Sequence, residues 1–388
     1  MSKRSLFFSV LTNAIEHGSI VFKDDLGETI IGSGEPSVSI KVHNQALYGQ
    51  ILGFGNLGLG ESYMNSYFDV ESGTLEDFLS ILLQNRIDEK VKFSLPLIWN
   101  VLGIKIQGWL RGQWKNVQHH YDIGNDLFES FLDKSWTYSC GYANTPTDTD
   151  DQLQENKFER ICQKLELKPG EHLLDIGCGF GGLLIYAAQH FGVTGIGITN
   201  SKEHCARANK RIQELGLKNL EVQLMDYQEI TGSFDKIVSV GMLEHVPRAK
   251  YDIYFKKIKA NLKPNGKGLV HAVGANSHTN EHDPFIQKYI FPSSNQVRLS
   301  EVSLQLEKNN LFIQDVENMI RHYGYTAQGW IDKFRENRST LQRYSDEFLR
   351  MWEYYLCCCK AAANYSDSAL YQVLFMSDHR SEIPLRRV

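Results

Sequence analysis

The chain has 388 residues, 42% of them hydrophobic and 22% charged, a composition that supplies a large core and excludes a disordered chain. Lys and Arg number 41 against 46 Asp and Glu, so the net charge is −5; this argues against a dedicated nucleic-acid binder and leaves room only for a local basic patch. At roughly 150 residues per domain, two to three units are expected. The seven cysteines (Cys140, Cys162, Cys178, Cys205 and the run Cys357–Cys359) form no C-x-x-C pair, and the reading is a reduced, cytosolic compartment. The apolar start at Leu6–Leu11 meets Asn13, Glu16 and His17 too early for a signal peptide. No window offers the ~18 apolar residues of a membrane span.

Residues 1–90 carry short apolar runs broken by Gly, Asp and Asn, with the densest glycine at 53–64 and helical periodicity over 75–87. They read as a small, mainly helical N-terminal unit. Residues 91–115 form an apolar connector with Trp99, Trp109 and basic flanks at Lys92, Lys105, Arg111 and Lys115. Two readings stay open for it, a helix lying in a lipid interface and a helix clamping two domains. From about residue 150, helices alternate with strands at 172–176, 194–199, 220–224, 236–240 and 268–273, which predicts an α/β, doubly wound parallel sheet. Such sheets bind ligands beyond the carboxyl ends of their strands.

At the end of the first of these strands stands Asp175-Ile176-Gly177-Cys178-Gly179-Phe180-Gly181-Gly182, opening a helix. Its G-x-G-x-G spacing is not the G-x-G-x-x-G of a dinucleotide site, and an acid two residues before the first glycine suits a cationic group such as an amino-acid ammonium. The D-x-G-x-G pattern resembles the first motif of class I S-adenosylmethionine-dependent methyltransferases. The second strand ends Thr199-Asn200-Ser201 without the customary acid for ribose hydroxyls, so hydroxyl and amide groups would take that role. Asp226-Tyr227 closes the third strand, a position suited to an adenine edge.

Further segments narrow the resemblance: His120-Tyr121-Asp122-Ile123-Gly124-Asn125-Asp126, Tyr138-Ser139-Cys140, Met242-Leu243-Glu244-His245-Val246, Lys288-Tyr289-Ile290-Phe291-Pro292, Gly58-Leu59-Gly60-Glu61-Ser62 and Arg350-Met351-Trp352-Glu353. Together they resemble the bacterial cyclopropane-fatty-acyl-phospholipid synthases almost end to end, including a small N-terminal domain that the related mycolic acid synthases lack. The resemblance implies a class I methyltransferase fold with residues 1–90 as a lipid-docking or dimer-contact domain, 91–115 as connector and 116–388 as catalytic domain. It implies transfer of a methylene from S-adenosylmethionine to the cis double bond of a phospholipid acyl chain, with bound bicarbonate as the base. It further implies a homodimer in the cytoplasm, reversibly associated with the inner face of the membrane.

Carried over motif by motif, the resemblance places catalysis at Cys140, Glu244, His271, Val273 and Tyr323, and adds Cys359, although the chemistry needs no thiolate. Cofactor positions are Tyr138, Ser139, Asp175, Gly177, Cys178, Gly179, Thr199, Asn200, Ser201, His204, Asp226 and Tyr227; His204 departs from the family's usual glutamine. The residue types suit the reaction. An alkene is a weak nucleophile that must be held in line with the methyl, within ~3.5 Å. The cation formed on attack needs shielding from water and aromatic faces, and the chain has 20 Phe, 18 Tyr and 6 Trp. His271 and Tyr323 can donate to an anion, and Glu244 can accept from its hydroxyl.

The run 341–355, with Arg343, Arg350 and nearby Lys333, Arg335 and Arg338, is expected to be helical and to form either a basic lipid-facing surface or a solvated basic face. His278-Thr279-Asn280-Glu281-His282 matches an H-x-x-E-H zinc string but sits in loop-forming sequence, so no metal is expected. Two alternatives remain, a fatty acyl C-methyltransferase that makes a methyl-branched product and a non-catalytic lipid-binding homologue.

Overall fold

Burial alternates or runs continuously along the strands according to how many faces they cover, and two sheets result. The computed structural model describes residues 1–87, 90, 124–277, 283–292 and 294–378. The connector 91–115, the motif positions 120–123 and the 278–282 string lie outside the described residues, and so do the expectations placed on them. Two compact units are present, neither a single stretch. One gathers Met1–Phe131, Glu281–Pro292 and Trp330–Ser366, the other Leu132–Asn280, Ser293–Gly329 and Asp367–Val388. They follow packing rather than the sequence divisions at 90 and 115.

The first unit contains a four-stranded sheet that the sequence pattern did not disclose: β1 (Gly18–Asp24), β2 (Gly27–Ser33), β3 (Ser37–Val42) and β4 (Phe68–Ser72), in the order β2-β1-β3-β4. Edge strand β2 buries little beyond Ile31, which is why it lacks a strand's apolar alternation. Phe7, Phe8, Phe22, Tyr48 and Phe78 interlock as mostly edge-to-face rings in the core. The helix expected over 75–87 spans Leu75–Gln84. It stops where the Asn85 amide turns to the chain, accepting from Glu16 N and His17 N and donating to His17 O. Two of the quoted motifs meet in this unit. Gly60 lies against the Phe285 and Tyr354 rings, where any Cβ would collide, and Glu61 accepts from Lys288 Nζ (2.6 Å) and Tyr289 Oη (2.9 Å).

The expected basic surface is corrected. The helix starts at Asp346, capped by Ser345, and runs to Tyr365. Arg335 pairs with Glu76 and Glu353, Arg338 with Glu353 and Asp346, Arg343 with Asp126, and Arg350 with Asp69. These guanidinium groups are neutralised within their own unit rather than offered as a positive field.

The second unit is a seven-stranded sheet: β5 (His172–Ile176), β6 (Thr194–Thr199), β7 (Leu220–Leu224), β8 (Phe234–Val240), β9 (Leu262–Ala275), β10 (Phe312–Asn318) and β11 (Ser368–Met376). The order is β10-β11-β9-β8-β5-β6-β7, with the five strands from β7 to β9 parallel and β11 antiparallel to both neighbours. This is the doubly wound α/β sheet expected. β10 and β11 were not read from the sequence. β5 is buried from Leu173 to Ile176, as a central parallel strand covered on both faces must be. One face packs Phe158, Ile161, Leu184, Ala208 and Ile212, and the other Tyr254, Phe255, Val302 and Leu306. The chain leaves β5 outward to β6 and β7 and returns to β8 on the other side, so the carboxyl ends of β5 and β8 flank the switch point.

Candidate active site

Asp175, the next-to-last residue of β5, is 2% exposed. Burial pushes its carboxyl up to about 7, opposed by the nearby Lys157 ammonium. Gly177 N and Cys178 N both donate to Ile198 O (2.9 and 3.0 Å), tying the loop to β6. Gly179 has φ +54°, and nothing lies within 4 Å of where its Cβ would stand. A glycine there gives the loop an open flank over which a ligand can lie against backbone, which fits S-adenosylmethionine. The helix Gly182–Phe191 begins immediately after it.

At the end of β6, Thr199 Oγ1 accepts from Ser201 N, and Ser201 Oγ caps the helix Lys202–Glu214 by accepting from His204 N. Asn200 is exposed. The His204 ring lies 4.2 Å from that of Phe180, and burial lowers its pKa. Asp226, exposed at the end of β7, accepts from Gln228 N (2.8 Å). Tyr227 is buried with its ring 5.5 Å from Tyr254, so its side chain packs in the core.

The Tyr138–Cys140 segment is anchored from below. The Asp133 carboxylate accepts from Ser135 N and Thr137 N. Trp136 adopts φ +61°, with its ring 5.2 Å from Phe180 and the Arg207 guanidinium 3.8 Å above it. Lys157, fully buried, donates to Ser139 Oγ (2.9 Å) and Gln154 Oε1 (2.6 Å), while Gln154 Nε2 donates to Ser139 O. Burial pushes Lys157 down to about 8, against the pull of Asp133, Cys140 and Asp175.

The second constellation lies where β8, β9 and β11 meet. Glu244, in the turn Leu243–His245 after β8, accepts from Val273 N through Oε1 at 2.5 Å. Its Oε2 is buried with no hydrogen-bond partner. Burial pushes this carboxyl up to about 7, and the bonds from backbone N–H groups do not offset it. His271, on β9, takes a hydrogen bond on Nδ1 from Gln372 Nε2 (3.2 Å), while its Nε2 is buried and unpartnered. Burial, with Lys157 and Lys164 nearby, holds its pKa well below the ordinary value, so the ring is neutral. Cys140 and partly buried Val273 and Tyr323 join Met319 and Leu370 in one small cluster. The Cys140 thiol donates to Gly141 O (3.1 Å), and burial pushes it up to about 12, so it serves as a wall and not as a nucleophile.

Cys359 lies on the helix Asp346–Tyr365 of the first unit, its thiol pushed up to about 12 by burial. Sequence reasoning missed Lys157, Trp136, Thr326 (whose Oγ1 accepts from Gly141 N) and Gln372. None stands in a recognisable motif. A Lys or Gln inside an apolar stretch, as in Leu370-Tyr371-Gln372-Val373-Leu374, is the one signal that was there to read.

Residues 110–373 match the mycolic acid cyclopropane synthetase family. The chain is 34% identical over 351 residues to a cyclopropane-fatty-acyl-phospholipid synthase of Escherichia coli (strain K12), covering 88% of this chain and 89% of that protein. It is 31% identical over 365 residues to a tuberculostearic acid methyltransferase of Mycobacterium tuberculosis, covering 89% and 84%. Among solved structures, a cyclopropane synthase from Mycobacterium tuberculosis superposes with a TM-score of 0.63 at 27% identity, over 68% of this chain and 97% of that one. A mycolic acid cyclopropane synthase complexed with SAH and CTAB superposes at 0.62 and 26% identity, over 67% and 97%. With the D-x-G-x-G loop open at the switch point of a seven-stranded sheet, these likenesses establish that the chain belongs to the mycolic acid cyclopropane synthetase family and is an S-adenosylmethionine-dependent lipid methyltransferase.

Proposed function

We propose that this enzyme converts the cis double bond of an unsaturated phospholipid acyl chain into a cyclopropane ring, with bicarbonate held as the base by Glu244, His271, Val273, Tyr323 and Cys140. The observation that carries this reading is the pair of buried, unpartnered atoms Glu244 Oε2 and His271 Nε2. An acceptor and a ring nitrogen left without partners in an apolar setting cost free energy unless a ligand satisfies both. A protonated oxyanion carries a hydroxyl for the carboxylate and oxygens for a ring N–H, so bicarbonate matches the pair.

S-adenosylmethionine supplies an electrophilic methyl on a sulfonium. Bicarbonate supplies an oxygen base that works in a dry pocket. The protein contributes the rest. The Asp175–Gly179 loop and the Thr199–Ser201 and Asp226 turns orient the cofactor. The Cys140–Met319–Leu370 cluster, with Tyr142 and Tyr323 packed against it, excludes water beside the base and from a developing cation. Glu244 orients the anion by accepting its proton in a hydrogen bond, and His271 holds its charge by donating one.

On this reading the enzyme is cytoplasmic, works at the inner membrane face on phospholipid and forms a homodimer, with residues 1–90 making lipid or subunit contact. No described helix is long and apolar enough to cross a membrane. Mass spectrometry and proton NMR of lipids from cells expressing the chain test the reaction. One CH₂ gained per monoenoic chain, with cyclopropyl proton signals, is the expected result. A methyl-branched product, in keeping with the name of the tuberculostearic acid methyltransferase, would overturn ring closure and retain methyl transfer.

A further inference from the structure

We propose that Gln372 is a positioning residue that locks the imidazole of His271 in the tautomer with its proton on Nε2, so that the ring presents a donor. The inference rests on the reading of His271 as a donor to the anion, and it assigns the group that makes it one. Gln372 is fully buried on β11. It is the register partner of His271 on β9 and of Glu317 on β10, so the three residues form one row across three strands. Lys164, on the helix Asp150–Leu165, meets that row: its Nζ donates to Gln372 Oε1 (2.9 Å) and Glu317 Oε2 (2.6 Å) and lies 3.5 Å from Asp315 Oδ2. Arg160 holds Glu317 from the other side with two bonds of 2.8 and 2.7 Å.

The direction of every hydrogen bond in the row follows from its end. A lysine ammonium only donates, so the Gln372 oxygen must face Lys164; the reversed amide would set NH₂ against NH₃⁺. The Gln372 nitrogen then faces His271 and donates to Nδ1 (3.2 Å), which must be the unprotonated nitrogen. A neutral imidazole has one proton, and it is left on Nε2, the atom without a partner. Were the tautomer reversed, a lone pair at Nε2 would confront the anion instead of an N–H. The fixed charges Arg160, Glu317 and Lys164 thus set a proton position in a neutral ring.

The direct test is ¹⁵N NMR of histidine-labelled full-length protein without bicarbonate, with the His271 signals assigned by their loss in His271→Asn. A pyrrole-type Nε2 and a pyridine-type Nδ1 are expected; the reverse pattern, or averaging of the two, overturns the proposal. In Gln372→Glu the carboxylate accepts from Nδ1–H, so the two signals should exchange types and kcat should fall roughly 10²-fold with S-adenosylmethionine affinity unchanged. Retention of the wild-type pattern in Gln372→Glu and in the isosteric Gln372→Met would also overturn it. If the signals exchange and kcat does not move, Gln372 sets the tautomer and it is the donor role of His271 that fails.

Discussion

Both units bury glutamates, and Glu76 of the first and Glu244 of the second are treated in opposite ways. Glu76, 3% exposed in the first unit, accepts from Arg335 through both oxygens (3.0 and 2.8 Å). Burial would raise its pKa, but the Arg335 bonds and charge win and hold it below the ordinary value. Arg335 and Arg338 then hold Glu353, so each carboxylate of that network meets a guanidinium. Glu244, 8% exposed in the second unit, has only backbone N–H groups to offset burial and is pushed up to about 7. A buried carboxylate that serves architecture is paired on the spot. One left short of partners marks a place where the fold holds a ligand or a proton.

Breaking each site tests the contrast. The largest effect is expected from Glu244→Gln, which should lower kcat by roughly 10²–10⁴-fold while leaving S-adenosylmethionine affinity, measured by calorimetry, within about twofold. Equal losses in both would sink its role beside the base. Next comes Arg335→Met, which strands Glu76, leaves Glu353 to Arg338 alone and should cost about 3–5 kcal/mol in thermal or urea unfolding, with part recovered by adding Glu76→Gln. A melt indistinguishable from wild type would show that pairing is not what holds the first unit.

The pH dependence has opposite signs at the two sites. The lowered Glu76 contributes stability that is present above its unfolded pKa and lost as pH falls through its folded value. The raised Glu244 contributes stability that is full below about 4.5 and lost as pH rises through about 7. In bicarbonate-free buffer, Glu244→Gln should therefore gain on wild type between those values, by on the order of 3 kcal/mol. Asp175, raised to about 7, contributes the same slope in both proteins and cancels from the difference. A pH-independent difference would contradict the raised carboxyl. The smallest effect is expected from Cys359→Ala. With the thiol pushed up to about 12, turnover should stay within about twofold, and a larger loss in kcat alone would give the sulfur a part in the chemistry.

Much of the cofactor side was legible because it is local. The Asp175–Gly182 turn, the Ser201 cap and the strand–helix alternation from 172 to 273 depend on near neighbours in sequence, and β5 to β7 occupy the expected spans. The buried cluster at Glu244, His271 and Val273 came only through the resemblance, which named those residues without saying that Glu244 Oε2 and His271 Nε2 lack partners. Gln372 meets Lys164 across 208 positions, and Glu76 meets Arg335 across 259. No window of sequence carries such pairs. The basic run 333–350 misled for the same reason: charge is visible in sequence, but its neutralisation by Glu76, Asp69 and Asp126 is not.

The sequence by itself determined the periodicities, the glycine turn and the residue types of a methyl-transfer site, because these follow from backbone sterics and hydrophobic spacing. Only the tertiary structure decided which buried polar groups are satisfied and which are not. That depends on the three-dimensional neighbours that replace water, and at Glu244 and His271 the fold leaves one position open on each.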